Sequence, residues 1–346
     1  MRIITRLILL FTFVVAGITI PWGQGQGVEK LLVMSVIDVG QADSILVEFP
    51  NGQTMLVDAA DQAHGPTVVS YLRSRGVNRV DILVATHPHE DHVGGIMDVM
   101  TAFPVGKVWD SGYNIGSRTQ QQYLQAIKDK GIQYGQPRAG FTQSVGQAGI
   151  AVLAPRQLIS GTSSDANNNS IVMRVALGQQ SYLLTGDMEE AERATVTNWP
   201  RSTVLKVAHH GSRNGTDPAF LGQVSPQIAV LSYAEANEYG HPHPETRQAL
   251  QNAGVRPYST AMNGTVIVRT DGTNRTVTTF GKGNAVAMAA STNSSSSSRC
   301  NYIGNRRTHI YHRPTASHLP KPENRVCFSS RAAAERAGYR ACRLCF

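Results

Sequence analysis

The chain has 346 residues, of which 41% are hydrophobic and 16% charged, a composition that can form a packed core and that excludes global disorder. The 32 glycines and 16 prolines lack the repeat of a fibrous protein, and the one long apolar run, at the N-terminus, excludes a polytopic membrane protein. At about 100–200 residues per domain, the length predicts two domains, or one large domain and a small one.

The positive charge is confined to the C-terminal segment. Residues 299–346 contain ten Lys or Arg and two acidic residues, whereas the rest of the chain contains 22 basic and 22 acidic residues. The same segment holds the four cysteines, Cys300, Cys327, Cys342 and Cys345. The sequence therefore predicts a neutral body without cysteines, followed by a basic segment that binds nucleic acid or another anionic surface, or that is simply solvated.

The N-terminus carries the features of an export signal. Arg2 and Arg6 precede an apolar run over residues 7–20, which spans about 21 Å as a helix and is shorter than the hydrocarbon core of a bilayer. Small residues follow, so we expect a signal peptide over 1–27 and a secreted, periplasmic or cell-surface protein without stable membrane embedding after cleavage. An uncleaved anchor or a buried strand is the alternative.

Apolar β-branched runs alternate with helical patterns along the body. Strands are predicted over 31–39, 44–49, 54–58, 80–86, 150–153, 170–177, 181–185, 203–208, 228–232, 265–269 and 276–280. Helices are predicted over 67–75, from 93, near 120–130, and over 188–195 and 245–252. Two similar halves of this kind predict an α/β protein, an αββα sandwich over 28–285, with a serine-rich linker over 286–298 and a small cysteine-containing module over 299–346.

A cluster of metal-binding side chains follows the predicted strand 80–86. Its members are His87, His89, Asp91 and His92. Imidazole and carboxylate groups together suit zinc, manganese or iron. The first two residues alternate on an extended backbone and can face one metal, whereas the last two follow a turn and can face a second. Gly94 and Gly95 are expected to let the chain turn tightly beneath this site.

The HPHEDH segment at 87–92 resembles the HxHxDH motif of the metallo-β-lactamase superfamily. The TGD segment at 185–187 and the HHGS segment at 209–212 match further pieces of that family in order. The resemblance is closer to the nuclease-like domain of the ComEC-type competence proteins and covers about residues 31–280. The pieces that carry this closer match also include DVGQADS at 38–44, Asp58, NNNS at 167–170 and YGHP at 239–242. It implies two metal ions and cleavage of phosphodiester bonds in DNA.

The family resemblance also implies roles for single residues. The predicted ligands of two divalent ions, zinc or manganese, are His87, His89, Asp91, His92, Asp187 and His209. Asp187 is expected to bridge the ions, and Asp91 and Asp187 are therefore counted as catalytic. We favour His209 over His210 as a ligand because His209 ends a predicted strand, which leaves His210 facing the substrate. Lys206 or His210 is expected to stabilise charge on the phosphate or to assist the leaving oxygen.

Many superfamily members supply a third histidine to the first metal, but no histidine lies between His92 and His209. Asp165, Asn167, Asn169 or water could fill that position, and a partly oxygen-based ligand set favours manganese over zinc. The predicted substrate-binding residues are Ser212, His241 and Asn169. The sequence has neither a Gly-x-Ser-x-Gly elbow nor a phosphate-binding Gly-x-x-x-x-Gly-Lys-[Ser/Thr] loop, so we expect no nucleotide cofactor.

The C-terminal segment resembles the small Ada-type zinc module. His312, Cys342 and Cys345 fit three ligands of that module, whereas Ala316 stands where a cysteine is expected. The resemblance leaves two alternatives open. Cys300, Cys327 or His318 completes a structural zinc site, or Cys300 and Cys327 form a disulfide.

The arginines of this segment are interleaved with aromatic residues, Tyr302, Tyr311, Phe328 and Tyr339. Arginine neutralises phosphate and aromatic rings stack on bases, so the segment is expected to tether DNA, unless the rings form its core. Together these features favour an exported, metal-dependent phosphodiesterase, most simply a DNase. The alternatives are a hydrolase of a small or cell-envelope phosphodiester or lactone at the same site, and a non-catalytic DNA-capture protein.

Overall fold

The structure, a computed structural model, divides the chain into two compact units, with the boundary after residue 290. The described residues are 31–280, 288–289, 302–305, 307–314, 316, 319–321, 324–328, 331–336 and 339–342. The predicted signal peptide, Cys300 and Cys345 lie outside them. Of the predicted linker 286–298, only Met288–Ala289 is described, as a short strand. Among the described residues, no helix combines the length and hydropathy needed to cross a membrane.

The first unit is built from sixteen strands and eight α-helices among its described residues. The strands are β1 (Leu32–Val36), β2 (Ile45–Glu48), β3 (Thr54–Val57), β4 (Val80–Ala85), β5 (Val105–Asp110), β6 (Gln133–Gly135), β7 (Thr142–Val145), β8 (Ala148–Ala154), β9 (Val172–Leu177), β10 (Gln180–Leu184), β11 (Val204–Lys206), β12 (Ile228–Leu231), β13 (Arg256–Ser259), β14 (Thr265–Thr270), β15 (Arg275–Phe280) and β16 (Met288–Ala289). The helices are α1 (Gly65–Ser74), α2 (Glu90–Val93), α3 (Ile96–Ala102), α4 (Arg118–Asp129), α5 (Glu190–Arg193), α6 (Pro218–Val224), α7 (Pro244–Asn252) and α8 (Thr260–Asn263).

These strands form two sheets. One has the order β16-β15-β14-β1-β2-β3-β4-β5-β6 and the other β13-β12-β11-β10-β9-β8-β7. In the first sheet β3 to β6 run parallel, and in the second β10 to β13 do. Helices occupy the connections between these parallel strands, as crossover geometry requires.

Each sheet packs against the other sheet on one face and against helices on its other face, as the residues of β4 illustrate. Ile82 and Val84 point into the core between the sheets, whereas Leu83 and Ala85 pack with residues of the helices on the outer face. A parallel strand buried on both sides reads as a continuous apolar run, which is how the segment appears in the sequence. The second sheet repeats the arrangement, with Leu183 packed outward among residues of α6 and α7. The predicted αββα sandwich is confirmed.

The structure differs from the predicted elements at the end of β11. The strand was expected to continue to residue 208, but it ends at Lys206 and a 3-10 turn, Ala208–Gly211, follows. Within this turn His209 and His210 have φ values of 47° and 51°, in the left-handed region that non-glycine residues rarely occupy. Two consecutive left-handed residues cannot continue a strand, and they redirect both imidazoles.

The described residues of the second unit form a four-stranded sheet and one helix. Its elements are β17 (Tyr302–Asn305), β18 (Ile310–His312), β19 (Arg325–Phe328), β20 (Arg340–Ala341) and α9 (Arg331–Arg336), with the sheet order β19-β17-β18-β20. Tyr311 is fully buried and its ring meets that of Tyr302 edge-on, while Phe328 packs against Tyr339 in the same manner. These aromatic residues therefore contribute to the packing of the module.

Candidate metal centre

The carboxyl ends of parallel strands from both sheets converge on one group of polar residues. Asp58 follows β3, His87 follows β4 after one residue, and Asp187 follows β10 after two. In open α/β sheets ligands bind beyond the carboxyl ends of the strands, because the connecting loops there surround a crevice. The fold thus brings the predicted histidine cluster to Asp187.

The carboxylate of Asp187 lies at the centre of this group. Its Oδ2 atom is 3.3 Å from Nε2 of His92, 3.5 Å from Nε2 of His210, 3.7 Å from Nε2 of His209 and 3.9 Å from Nε2 of His87. The side chain is almost completely buried. One oxygen atom is thus surrounded by four imidazole rings that come from both halves of the sandwich.

Four residues of the group could hold one metal ion, namely Asp91, His92, Asp187 and His210, whose ligand atoms all lie within 4.8 Å of one another. The ring of His87 packs against that of His92, with centroids 4.1 Å apart, and Nε2 of His87 lies 3.1 Å from Nδ1 of His89. The structure thus brings His210 rather than His209 into the four-residue group. The reason is the left-handed turn after β11, which directs His210 inward and leaves the side chain of His209 24% exposed.

Two observations indicate that this group can bind a metal ion: it contains buried polar atoms without hydrogen-bond partners, and its atoms are of the types that metals accept as ligands. Nε2 of His92 and Oδ1 of Asp187 are buried and have no hydrogen-bond partner within the described part of the chain. Buried polar atoms are normally paired, since leaving one unpaired costs about 1–3 kcal/mol. Imidazole nitrogen and carboxylate oxygen are donors that zinc and manganese accept. The residues present therefore fit a bound divalent cation.

The pKa shifts of the residues in this group also favour the binding of a cation. Burial raises the pKa of Asp187, but the neighbouring His92 and His210 outweigh burial and hold the pKa well below its ordinary value. Burial lowers the pKa of His210, yet Asp187 and Asp43 outweigh it and raise the pKa to about 10. The pKa of His87 is well below its ordinary value, chiefly because of burial, so this ring is neutral and able to bind a metal. The carboxylates thus create a field that attracts cations.

Asp58 orients His92 from outside the ligand group. One of its oxygens lies 2.8 Å from Nδ1 of His92 and accepts from the hydroxyl of Thr86, and the other accepts from the Thr86 backbone N–H. A carboxylate on Nδ1 keeps the proton there and leaves Nε2 free to bind a metal. Asp58 itself adopts a φ of 59°. Such strain at a site is retained when the surrounding contacts impose it.

Lys206 is part of the structure behind the site. Its side chain is fully buried, and its ammonium group lies 2.7 Å from Oδ2 of Asp43 and donates to the backbone oxygen of Val207. The other oxygen of Asp43 is 3.5 Å from Nδ1 of His210. Lys206 is thus held in a buried ion pair behind His210, and its contact with a phosphate stays a prediction.

Glu189 was not predicted. It is almost completely buried, and its Oε1 lies 3.0 Å from Nδ1 of His209 and accepts from the side-chain amide of Asn167. Glu189 follows Asp187 by two residues, and this proximity is the one feature of the sequence that indicates a place for Glu189 at the site. Among the candidates for the missing third histidine, Asn167 keeps a buried Oδ1 atom that has no partner among the described residues.

The other two candidates are occupied with local contacts. Asn169 donates to the backbone oxygens of Ile159 and Asp165 and accepts from the Ile159 N–H, so its whole amide holds the loop together. The carboxylate of Asp165 accepts from Thr162 and Gly161. Both N–H groups of the Asn169 amide are thus used within the loop, and its contact with a substrate stays a prediction.

Ser212 and His241 lie beside the histidine turn. The backbone N–H of Ser212 donates to the carbonyl of His209 at 2.7 Å, and its side chain is nearly buried. The ring of His241 stacks on that of His210, with centroids 6.2 Å apart, and meets His209 edge-on. Burial, followed by the neighbouring His209 and His210, lowers the pKa of His241 to about 4. His241 thus borders the group as a neutral ring.

The two glycines after the histidine cluster serve close packing. Both have ordinary negative φ values, so a tight turn is not the reason for glycine here. A Cβ atom at Gly94 would collide with the backbone of Asp61 and Gln62, and one at Gly95 with the carbonyl of Ala59. Their absence lets the loop after β3 lie against α2, which keeps Asp58 next to His92.

In the second unit, two predicted zinc ligands come together. His312 and Cys342 are both nearly buried, and they directly follow Tyr311 and Ala341, which are paired in adjacent parallel strands. The backbone N–H of Cys342 donates to the carbonyl of Tyr311 at 2.9 Å. The two residues therefore lie side by side at the carboxyl ends of β18 and β20.

Two packed sheets with helices on both outer faces, and a histidine- and carboxylate-rich group beyond their parallel strands, define an αββα hydrolase fold with a candidate metal centre. Residues 37–235 match the family model of the metallo-beta-lactamase superfamily. Because this match covers more than half of the chain, the chain belongs to the metallo-β-lactamase superfamily. Residues 286–346 match the model of the metal binding domain of Ada. Both predicted resemblances are thus confirmed.

The chain is also similar to competence proteins. ComE operon protein 3 of Bacillus subtilis (strain 168) is 28% identical over 256 residues, which are 68% of this chain and 33% of that protein. Competence protein ComA of Neisseria gonorrhoeae is 29% identical over 241 residues, 68% of this chain and 32% of that protein. The chain thus spans about a third of the length of these curated relatives. Among solved structures, the metallo-beta-lactamase fold protein YhfI from Bacillus subtilis covers 69% of this chain and 100% of its own, with a TM-score of 0.47 and 12% identity.

Proposed function

We propose that this protein is an exported, metal-dependent phosphodiesterase that cleaves DNA. The observation that carries the proposal is the buried Asp187 oxygen surrounded by four imidazole nitrogens at 3.3–3.9 Å. A carboxylate between two groups of histidines suits a pair of divalent ions held a fixed distance apart. Export rests on the predicted signal peptide at 1–27.

The ligands divide into two sets that share Asp187. His87 and His89 would hold the first ion, and Asp91, His92 and His210 the second. Two divalent ions at such a centre supply Lewis acidity toward a phosphoryl group and a nucleophile at neutral pH. The unpaired Oδ1 of Asn167 makes this residue the best candidate to complete the first set. Zinc and manganese both suit these donors.

The protein's own groups hold these ligands in place. Asp58 fixes the ring of His92. Asp43, whose charge is neutralised by Lys206, supports the ring of His210. Neither ring therefore has to reorganise during the reaction. Glu189 fixes His209, whose side chain is partly exposed beside Asp187. We therefore expect His209 to contact a substrate phosphate. This proposal exchanges the roles that the sequence predicts for His209 and His210.

DNA is favoured as the substrate by two features outside the centre. The relatives include proteins named for competence, and the Ada-type module carries the whole net charge of +8. A basic module tethers a polyanion and raises its concentration at the hydrolase domain. We infer that this module also holds one zinc ion, with His312, Cys342 and Cys345 among its ligands. The neutral charge of the remaining chain favours a second candidate, hydrolysis of a small or cell-envelope phosphodiester.

The proposal is tested by incubating the purified protein with single- and double-stranded DNA in Mn²⁺, Zn²⁺, Mg²⁺ or EDTA. We expect cleavage with Mn²⁺ or Zn²⁺ and none in EDTA, with activity restored when the metal is returned. Intact DNA with every metal, together with hydrolysis of a small phosphodiester, would establish the second candidate instead. Retention of DNA without any turnover would indicate a capture protein.

Truncating the chain after residue 290 is expected to weaken DNA cleavage without affecting a small phosphodiester. The deleted module carries ten basic and two acidic residues, so it supplies most of the nonspecific attraction to phosphate. The logarithm of DNA affinity should then depend less steeply on the logarithm of salt concentration, by about 0.9 for each phosphate that the module would otherwise neutralise. Fluorescence anisotropy with labelled DNA across a salt series measures this slope.

The small phosphodiester serves as the control for folding of the truncated protein. Its hydrolysis should proceed at the rate of the full chain, since the hydrolase domain forms a compact unit of its own. An unchanged salt dependence of DNA binding would show that the basic module takes no part in substrate capture.

A further inference from the structure

Three aromatic rings form a column that leads from the surface to the metal centre. Tyr239 lies outermost, with 58% of its surface exposed. Its ring stacks on His241 with centroids 5.5 Å apart and an angle of 22° between the planes. His241 in turn stacks on His210 at 6.2 Å and 25°. The column ends at a residue of the four-residue metal group.

The inner part of the column is firmly held. The side-chain amide of Gln41 lies 3.3 Å from Nδ1 of His241. The side chain of Asn237 accepts from the backbone N–H of His241 and donates to its carbonyl, so these two hydrogen bonds stabilise the loop from 237 to 241. Because His241 is fixed from both sides, the ring of Tyr239 that stacks on it has a defined orientation. The outer face of this ring is free to receive another planar group.

The charge next to Tyr239 does not favour phosphate. Glu238, the preceding residue, is acidic and exposed, and Arg247 of α7 donates to the backbone carbonyl of Pro242. The attraction that Tyr239 itself can add to nucleic acid therefore comes from the face of its ring. Base–aromatic stacking is tolerant of sequence, because every base presents a π-face.

We propose that Tyr239 is a stacking platform for an unpaired base next to the phosphodiester bond that is cleaved. This inference rests on the proposed nuclease function and deepens it by naming the form of the substrate. Inside a duplex both faces of a base are covered by its neighbours, so at an internal position only single-stranded or locally opened DNA can offer a face to Tyr239. The protein therefore prefers single-stranded DNA or a splayed end.

Tyr239 is a specificity residue in this proposal. Two ring-to-ring steps separate its outer face from His210, so a base on Tyr239 belongs to a nucleotide whose phosphate is near the centre. Its contribution is to binding, which appears mainly in KM. The stacking contribution of Tyr239 does not depend on charge, so salt should affect it little. The contribution of the basic module, in contrast, should decrease as the salt concentration rises.

The test compares two end-labelled single strands that differ in a central tract. One tract consists of thymidines, and the other of stable abasic residues with the same phosphates. We expect the full-length protein to cut the thymidine tract about ten-fold or more faster, in line with the usual contribution of one stacked base. Tyr239→Ala should remove most of this difference, and Tyr239→Phe should retain it. Both effects should persist at high salt.

Tyr134→Ala is the matched control, since Tyr134 is an exposed tyrosine on β6, an edge strand of the other sheet. The Tyr134→Ala variant should cut the thymidine and abasic strands with the same ratio of rates as the unmodified protein. Equal ratios of thymidine to abasic cleavage in the unmodified protein and in Tyr239→Ala would overturn the stacking inference while leaving the nuclease intact. If the unmodified protein cuts duplex DNA but neither single strand, the inference is overturned and the nuclease stands. If it cuts neither single- nor double-stranded DNA with any metal, the proposed nuclease is overturned and the inference with it.

Discussion

Replacing Asp187 by asparagine is expected to lower kcat/KM for DNA cleavage by about a thousand-fold or more, since metal ions supply several kcal/mol of transition-state stabilisation. Asp187 is the residue shared by both predicted ligand sets, and its Oδ2 is within 3.9 Å of four imidazoles. The neutral amide keeps the shape of the side chain but removes the negative charge between two cations. Both the bound metal and the activity should therefore fall.

The measurement combines the metal content of the purified variant with its cleavage kinetics. Asp271→Asn is the matched control, because Asp271 accepts backbone hydrogen bonds in a turn after β14 and asparagine can do the same. That variant should keep both metal and activity. Normal cleavage by Asp187→Asn at full metal loading would contradict the assignment of Asp187 as the shared ligand.

Replacing Lys206 by methionine is expected to lower the free energy of unfolding by about 3–5 kcal/mol, the usual cost of breaking a buried ion pair. The change leaves Asp43 with an uncompensated charge, because Lys206 is fully buried and 2.7 Å from that carboxylate. The pKa of Asp43, which Lys206 and His210 hold at about 2 against the effect of burial, should rise as well. Urea unfolding at pH 7 measures the decrease in stability.

A second variant distinguishes the broken charge pair from altered packing. Adding Asp43→Leu to Lys206→Met removes the stranded charge and should recover part of the stability. Arg79→Met is the control, since the pair of Arg79 with Asp81 is at the surface and is expected to contribute less than about 1 kcal/mol. Equal effects of Lys206→Met and Arg79→Met would contradict the structural role of Lys206.

The part of the site that could be predicted is the part that is local in sequence. His87, His89, Asp91 and His92 directly follow a strand whose apolar run is evident, so their placement beyond its carboxyl end needs no long-range information. The αββα sandwich follows equally from buried strands alternating with helices. The same holds for the charge and the cysteines of the C-terminal module, which composition alone reveals.

The roles of Lys206, His209 and His210 depended on long-range contacts. The sequence alone indicated a strand through residue 208, but the chain leaves the sheet at Lys206 and turns through two left-handed residues. The carboxylate of Asp43, from the N-terminal half of the chain, and the backbone carbonyl of Ser232 hold His210 through contacts of 3.5 Å and 2.9 Å to its Nδ1 atom. No pattern within the HHGS segment itself carries that information.

The sequence by itself therefore determined the fold class, the position of the histidine cluster at 87–92 and the charged module, because strand periodicity and composition express them locally. The tertiary structure decided which histidine lies in the four-residue group with Asp187, that Lys206 pairs with Asp43, and that Tyr239 stacks outward from His241. These outcomes depend on the burial of charge and on side chains brought together from distant segments. Burial and distance are properties of the packed chain, and packing is what converts a set of candidate residues into a site.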